Sequence, residues 1–320
     1  MRWGMSRLSV LCLLFLSACG LTRCGTGPLD LPDAPDPVDQ AQIDALYATP
    51  LPPPDAPLSV YFMGHSLIGR GLPAILAELA GDGHGYDSQL GWGAELQAHW
   101  GDETLDGAER ENDHPRFREA HAAVDSGAYD ALVMTEKVEI TDSIQYHHSW
   151  YYMALWAEKA IAANPDIRLY FYETWPRRDI EDGWLARIDQ DLSRYWEREI
   201  VDRALATDKL DRPVYIIPGG QVMARFLRAV EAQGGVGNVA GADDLFADQI
   251  HFNAKGAYLM ALTHYAVLYG KSPVGLPHDL TDPDGVPVPG PDAEAARLMQ
   301  DIVWEVVTTY PRTGVAPAQN

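Results

Sequence analysis

Five short strand-like runs, with stretches of helical periodicity between them, constrain this chain more than any other feature. The runs lie at 58–63, 86–90, 131–134, 168–172 and 214–217. The stretches 67–80, 115–124, 150–163, 184–205, 221–232, 253–268 and 292–310 carry apolar residues at helical spacing, as Leu185, Ile188, Leu192 and Tyr195 do in the longest. Strands separated by helices are joined by crossovers, and repeated βα units give a parallel sheet covered on both faces. The expected fold is α/β, a three-layer α/β/α sandwich around a parallel sheet of about five strands. In such a sheet the ligand site opens at the carboxyl ends of the strands. The glycine-rich stretch Gly234-Gly235-Val236-Gly237 reads as a mobile loop, and 286–291, with three prolines, as a linker to a tail helix.

The first 57 residues read differently. Arg2 and Arg7 flank the start of an apolar run, 8–16, too short to span a bilayer, which leads into Leu16-Ser17-Ala18-Cys19. This resembles the lipobox of bacterial lipoprotein signal peptides, which implies cleavage before Cys19 and a lipid on its thiol. The alternative is an ordinary secretory signal that contains a cysteine. Residues 1–19 are expected as the signal, 20–57 as a Pro/Asp-rich tether with one short helix at 40–47, and 58–320 as the folded domain with an extension at 273–320. The expected location is the cell envelope. Gly20 after Cys19, with no Asp there, fits outer-membrane sorting by the same resemblance, facing periplasm or exterior. Of the three cysteines, Cys12 leaves with the signal and Cys19 is acylated, so Cys24 stands alone and the domain holds no disulfide. The formal net charge of −22 opposes nucleic acid and anionic headgroups as partners.

The first apolar run ends in Gly64-His65-Ser66, so a strand delivers a serine to a turn that leads into a helix. A serine there is either a nucleophile beside free backbone N–H groups or the N-cap of the helix. A nucleophilic serine needs an imidazole base, and the base needs an orienting carboxylate. Asp248 and His251, three residues apart before the helix at 253, supply that pair; the alternative is that Asp248 caps this helix and His251 is a surface residue. Gly91-Trp92-Gly93 lacks the further glycines and the lysine of a phosphate loop. His147 and His148 are adjacent without a partner at i+4, which disfavours a metal site.

Gly64-His65-Ser66, Gly93 after the second run and Asp248-x-x-His251 together resemble the SGNH (GDSL-like) hydrolase superfamily, in a mostly uncharacterised bacterial branch. The likeness covers about 58–272. It also takes in Gly93-Ala94-Glu95-Leu96 with His99-Trp100, Glu173-Thr174-Trp175, Ile217-Pro218-Gly219-Gly220 and Leu268-Tyr269-Gly270-Lys271-Ser272-Pro273. The resemblance implies a flavodoxin-like fold and a serine ester hydrolase that needs no metal or cofactor. Ser66 is then nucleophile, His251 base, Asp248 orienting residue, and the N–H groups of Ser66 and Gly93 the oxyanion donors. The chain departs twice from the pattern. His65 replaces the usual Asp, and Val133-Met134-Thr135-Glu136-Lys137 lacks the Asn that completes the oxyanion hole, leaving Thr135, Glu136 or a water as its substitute. Trp92, Glu136 and Trp175 are candidates for substrate contact at the sheet edge, with ordinary packing as the alternative for the aromatics. Arg177-Arg178 reads as a solvated face. The expected substrate is a short-chain acyl ester such as an acetyl group on a glycan or small molecule. The alternatives are a lipase or thioesterase for longer chains, and a silent binding lipoprotein that keeps the fold.

Overall fold

A computed structural model describes residues 31–101 and 104–318. The expected signal, the expected lipidation site Cys19 and all three cysteines lie outside the described residues. The five expected strands form as β1 (Ser59–His65), β2 (Gly85–Gly91), β3 (Ala131–Thr135), β4 (Arg168–Glu173) and β5 (Tyr215–Pro218). They pair in parallel in the order β2-β1-β3-β4-β5. β1 is thus flanked on both edges, with His65 opposite Gly91 and Met63 opposite Met134.

Alternate β1 side chains enter different cores, as the two-residue period of a strand requires. Val60 and Phe62 face helices Gly71–Ala80, Gly219–Gln233, Ala254–Tyr269 and Ala293–Thr309. Tyr61 and Met63 face Ala120–Asp125, Ser149–Ala163 and the segment 192–205. These are the three expected layers. A small antiparallel pair, β6 (Leu280–Thr281) and β7 (Pro287–Val288), precedes the tail helix, whose N-cap is the Asp292 side chain.

Several boundaries differ from the sequence reading. The helix after β1 starts at Gly71 rather than 67, because the N–H groups of Ile68 and Gly69 first close a turn on the His65 carbonyl. The long helix 184–205 contains a π-helical stretch, Leu192–Val201, which brings Trp196 against Phe171. Residues 34–57 are not a free tether. Asp39 caps helix Gln40–Leu46 with a capping box, Ile43 is buried, the Tyr47 hydroxyl donates to the Val214 carbonyl and the Leu51 N–H to that of Gly314. The Pro52 carbonyl accepts from Arg168: proline forfeits a donor but keeps its acceptor, so a proline-rich segment can still be bound at its carbonyls. The stretch 234–237 is a closed turn rather than an open loop, with Val236 bridged to Val239 and both buried.

Two buried features at strand ends generate measurable expectations. An ideal Cβ on Gly64 falls 2.5 Å from Thr135 Cγ2 and 2.8 Å from Ile68 Cδ1, so Gly64→Ala overpacks the joint between β1, β3 and the turn. The expected cost is about 1–3 kcal/mol, read as a lower urea midpoint; an unchanged midpoint contradicts the tight approach. Glu173, fully buried at the end of β4, accepts from the N–H of Gly220 at 2.7 Å and of Gln221 at 3.2 Å. Burial pushes its carboxyl up to about 8 against the pull of those donors. Below the ordinary value of 4.5 both folded and unfolded chains hold this proton. Above it only the folded chain does, so Glu173 lowers stability progressively as pH rises from there to about 8. Thermal midpoints from pH 5 to 8.5 are expected to decline less steeply in Glu173→Gln than in the wild type. Equal declines would contradict the buried, proton-holding carboxyl.

Candidate functional site

The site lies where β1, β2 and β4 end. Ser66 leaves β1 into the turn closed on the His65 carbonyl, five residues before the helix begins. It is therefore not the cap of that helix, whose N-cap position, Arg70, makes no side-chain cap bond. Ser66 Oγ lies instead 2.8 Å from His251 Nε2.

His251 Nδ1 lies 2.7 Å from Asp248 Oδ2. The other Asp248 oxygen accepts from the N–H groups of Ile250 and His251, each at 2.8 Å, so an Asx-type turn fixes the carboxylate relative to the ring. Desolvation pushes the Asp248 carboxyl up, but the bonds from the His251 ring, the His251 N–H and the Ile250 N–H outweigh it and bring the value to about 2. An ionised carboxylate accepts, so Nδ1 carries the ring proton and Nε2 presents its lone pair to Ser66. The next helix, Ala254–Tyr269, is capped by Asn253, whose side chain accepts from Lys255 and Gly256, and not by Asp248.

The loop carrying this pair rests on the segment after β4. The Trp175 indole N–H donates to the Ile250 carbonyl at 3.0 Å, and the Arg178 N–H to that of Gln249 at 2.8 Å. The Arg178 guanidinium donates to the Asp248 carbonyl at 3.4 Å, pairs with Asp243 and lies 4.9 Å over the Phe246 ring. Trp175 is thus a buried support, 2 % exposed, and not a wall open to substrate. Arg178 is a clamp rather than part of a solvated face. Its signal in the sequence was only its place, two residues beyond Pro176 at the sheet edge.

Gly93 follows β2 by two residues at φ +57°, with open space where a Cβ would stand, and Gly91 is opposite His65. Among the described residues, neither the Ser66 nor the Gly93 N–H donates to a protein acceptor. Trp92 remains exposed, at 53 %; its indole N–H donates to Glu111 at 2.9 Å and its ring lies on the Gly107 backbone.

The two side-chain substitutes for the missing Asn sit elsewhere. Thr135 is fully buried and spends its one hydroxyl proton on the Tyr172 carbonyl at 2.8 Å, so it has none to offer an oxyanion. The Glu136 side chain is also fully buried, accepting from Lys137 N–H at 3.0 Å and Leu96 N–H at 3.4 Å, and it does not face a substrate cleft. Burial pushes it up to about 7, opposed by the Lys137 N–H, the nearby Ser149 hydroxyl and the Leu96 N–H; the charge of Glu95 adds to the rise. His65 accepts from Leu67 N–H at Nδ1, 3.2 Å, and donates from Nε2 to the Glu136 carbonyl at 2.6 Å. Burial holds it near 4, hence neutral. His99, unassigned from sequence, donates to the Gly64 carbonyl at 3.0 Å while Gln89 donates to its other nitrogen. His147 pairs with Glu95 at 3.0 Å, a use for that histidine the sequence did not signal.

No protein-family model and no curated protein matches the chain. Among solved structures it is similar to a DUF4886 family protein from Bacteroides uniformis, at 17% identity and TM-score 0.51, over 80% of this chain and 96% of the other. It is also similar to a GDSL-like lipase from Parabacteroides merdae, at 14% identity and TM-score 0.41, over 69% and 99%, and to a carbohydrate esterase family 3 protein from Talaromyces cellulolyticus, at 14% and 0.34, over 66% and 96%. At these identities the likeness is one of fold. With β2-β1-β3-β4-β5 in parallel and helices on both faces, the chain has a three-layer α/β/α fold, which it shares with the DUF4886 family protein.

Proposed function

We propose that this chain is a serine ester hydrolase. The observation that carries the reading is the continuous hydrogen-bond path from Ser66 Oγ through the His251 ring to Asp248, 2.8 Å and 2.7 Å, at the carboxyl edge of the sheet. Ser66 Oγ attacks the ester carbonyl as His251 Nε2 takes its proton, and Asp248 stabilises the imidazolium. The tetrahedral oxyanion is met by the unpaired N–H groups of Ser66 and Gly93, a type of donor whose loss costs about 3 kcal/mol where it has been removed. His251 then protonates the leaving alcohol, and water frees the acid by the same route in reverse.

Two features support a short acyl group, such as acetyl on a glycan. His251 and Asp248 are half exposed, at 43 % and 54 % of their side chains, a wet setting ill suited to a long acyl chain. The exposed, edge-anchored indole of Trp92 beside Gly93 offers an aromatic face of the kind that sugar rings stack on. An envelope location through a lipid on Cys19 belongs to the same proposal and rests on the sequence of residues 1–19.

The test uses a soluble form starting after Cys24. With p-nitrophenyl acetate as substrate, Ser66→Ala is expected to fall by about 10⁴-fold or more and Asp248→Asn by about 10³-fold or more, both with unchanged circular dichroism. A fluorophosphonate probe is expected to label Ser66 in the wild type, located by mass spectrometry. A folded Ser66→Ala protein that keeps its rate, or a wild type without the adduct, would refute the activated serine.

A further inference from the structure

The segment that leaves the third strand holds no asparagine, and its first residue is Glu136. Its main chain and its side chain reach in different directions. The Glu136 carbonyl accepts from His65 Nε2 at 2.6 Å, and His65 is the residue immediately before Ser66. The Glu136 carboxyl accepts from the N–H of Leu96, three residues after Gly93. The Leu96 carbonyl is held in turn by the Trp156 indole N–H at 3.1 Å, so the peptide groups on both sides of Leu96 are fixed. One buried residue therefore ties together the two backbone segments whose N–H groups, of Ser66 and Gly93, stand unpaired.

We infer that Glu136 is a positioning residue that sets the separation of the Ser66 and Gly93 amides, replacing a side-chain oxyanion donor by a brace on a hole with two backbone donors. The inference rests on the esterase reading for its consequence in the reaction, but the brace itself is a property of the resting fold. A substrate-contacting role does not fit a side chain with no exposed surface. A donor role does not fit a carboxyl whose two oxygens each face a backbone N–H, of Leu96 and Lys137. Gly93 needs such a brace, because a glycine at positive φ has no side chain to anchor its own peptide.

The experiment compares the wild type with Glu136→Ala and Glu136→Gln by amide hydrogen exchange read in peptides covering 92–97, with β4, 168–173, as internal control. In Glu136→Ala, exchange at 92–97 is expected to quicken at least about 10-fold while β4 is unchanged. Glu136→Gln keeps an oxygen for the Leu96 N–H and is expected to restore most of the protection. The rate of Ser66 labelling by the fluorophosphonate, whose phosphoryl oxygen occupies the oxyanion position, is expected to fall at least about 10-fold in Glu136→Ala and to recover in Glu136→Gln. Unchanged exchange at 92–97 in a folded Glu136→Ala protein overturns the brace. Faster exchange in both segments overturns it as well, since Glu136 would then be a general core residue. Quickened exchange at 92–97 with unchanged labelling overturns the link to the oxyanion donors. Failure of the wild type to label at all counts against the esterase reading, while the exchange data still decide the brace.

Discussion

The hydrogen bond from His65 to the Glu136 carbonyl is the contact on which the geometry of this site depends. Strand β1 stays paired with β2 as far as His65 but with β3 only as far as Met63, and the helix takes over at Gly71. Between those limits the backbone at 65–70 is held by its own turn and by the His65 ring, which accepts from Leu67 and donates to the chain leaving β3. An imidazole does both at once, whereas a carboxylate only accepts. His65, where the resemblance implies an Asp, is therefore matched to a carbonyl partner. The match requires a neutral ring, which burial supplies by holding the group near 4.

The strands and the three layers were legible because each follows from local rules, whereas the meeting of Ser66 with Asp248 and with His251, which lies 185 residues from Ser66, was expected from the family resemblance. Apolar runs of strand length between helical periods force parallel pairing, and a parallel sheet gathers the chain segments that follow its strands along one edge. The supports were not legible, because burial is a tertiary property. Trp175 and Arg178 have the composition of a loop that meets solvent or substrate, yet their donors turn inward onto three successive carbonyls of the 248–250 segment. Thr135 shows the same limit: a hydroxyl beside the site in sequence is spent on the carbonyl of the adjacent strand. The short helices Leu96–Trp100 and Ile140–Tyr146 escaped because one or two turns carry too few residues to display a period.

Strand termini explain why so many polar side chains are buried at this edge. Each strand that ends inside the molecule leaves carbonyl and N–H groups beyond the ladder, and a buried backbone group without a partner costs about 1–3 kcal/mol. His99 answers the Gly64 carbonyl, Glu136 the N–H groups of Leu96 and Lys137, and Glu173 those of Gly220 and Gln221 at the start of a helix. The two carboxyls carry a penalty of their own, seen in their upward displacement to about 7 and about 8. A carboxyl nonetheless offers two oxygens to these sites, where the backbone N–H groups are joined by one side chain each, the Ser149 hydroxyl near Glu136 and the Gln221 amide at Glu173.

The division between exposed and buried groups then assigns labour. The His251–Asp248 pair is half exposed, where water competes for both partners, so their own hydrogen bond is too weak to fix their geometry against side-chain and loop motion. Their position is inherited from the Asp248 turn and from the Trp175 and Arg178 donors beneath. The same holds across the site, where Ser66 and Gly93 are placed by backbone whose anchors, His65, His99 and Glu136, are almost wholly buried. The proposed chemistry at the surface of this sheet would thus depend on hydrogen bonds one layer down. Substitutions in that layer would change where Ser66, His251 and Asp248 stand, while substitutions of those three would change only what they can do.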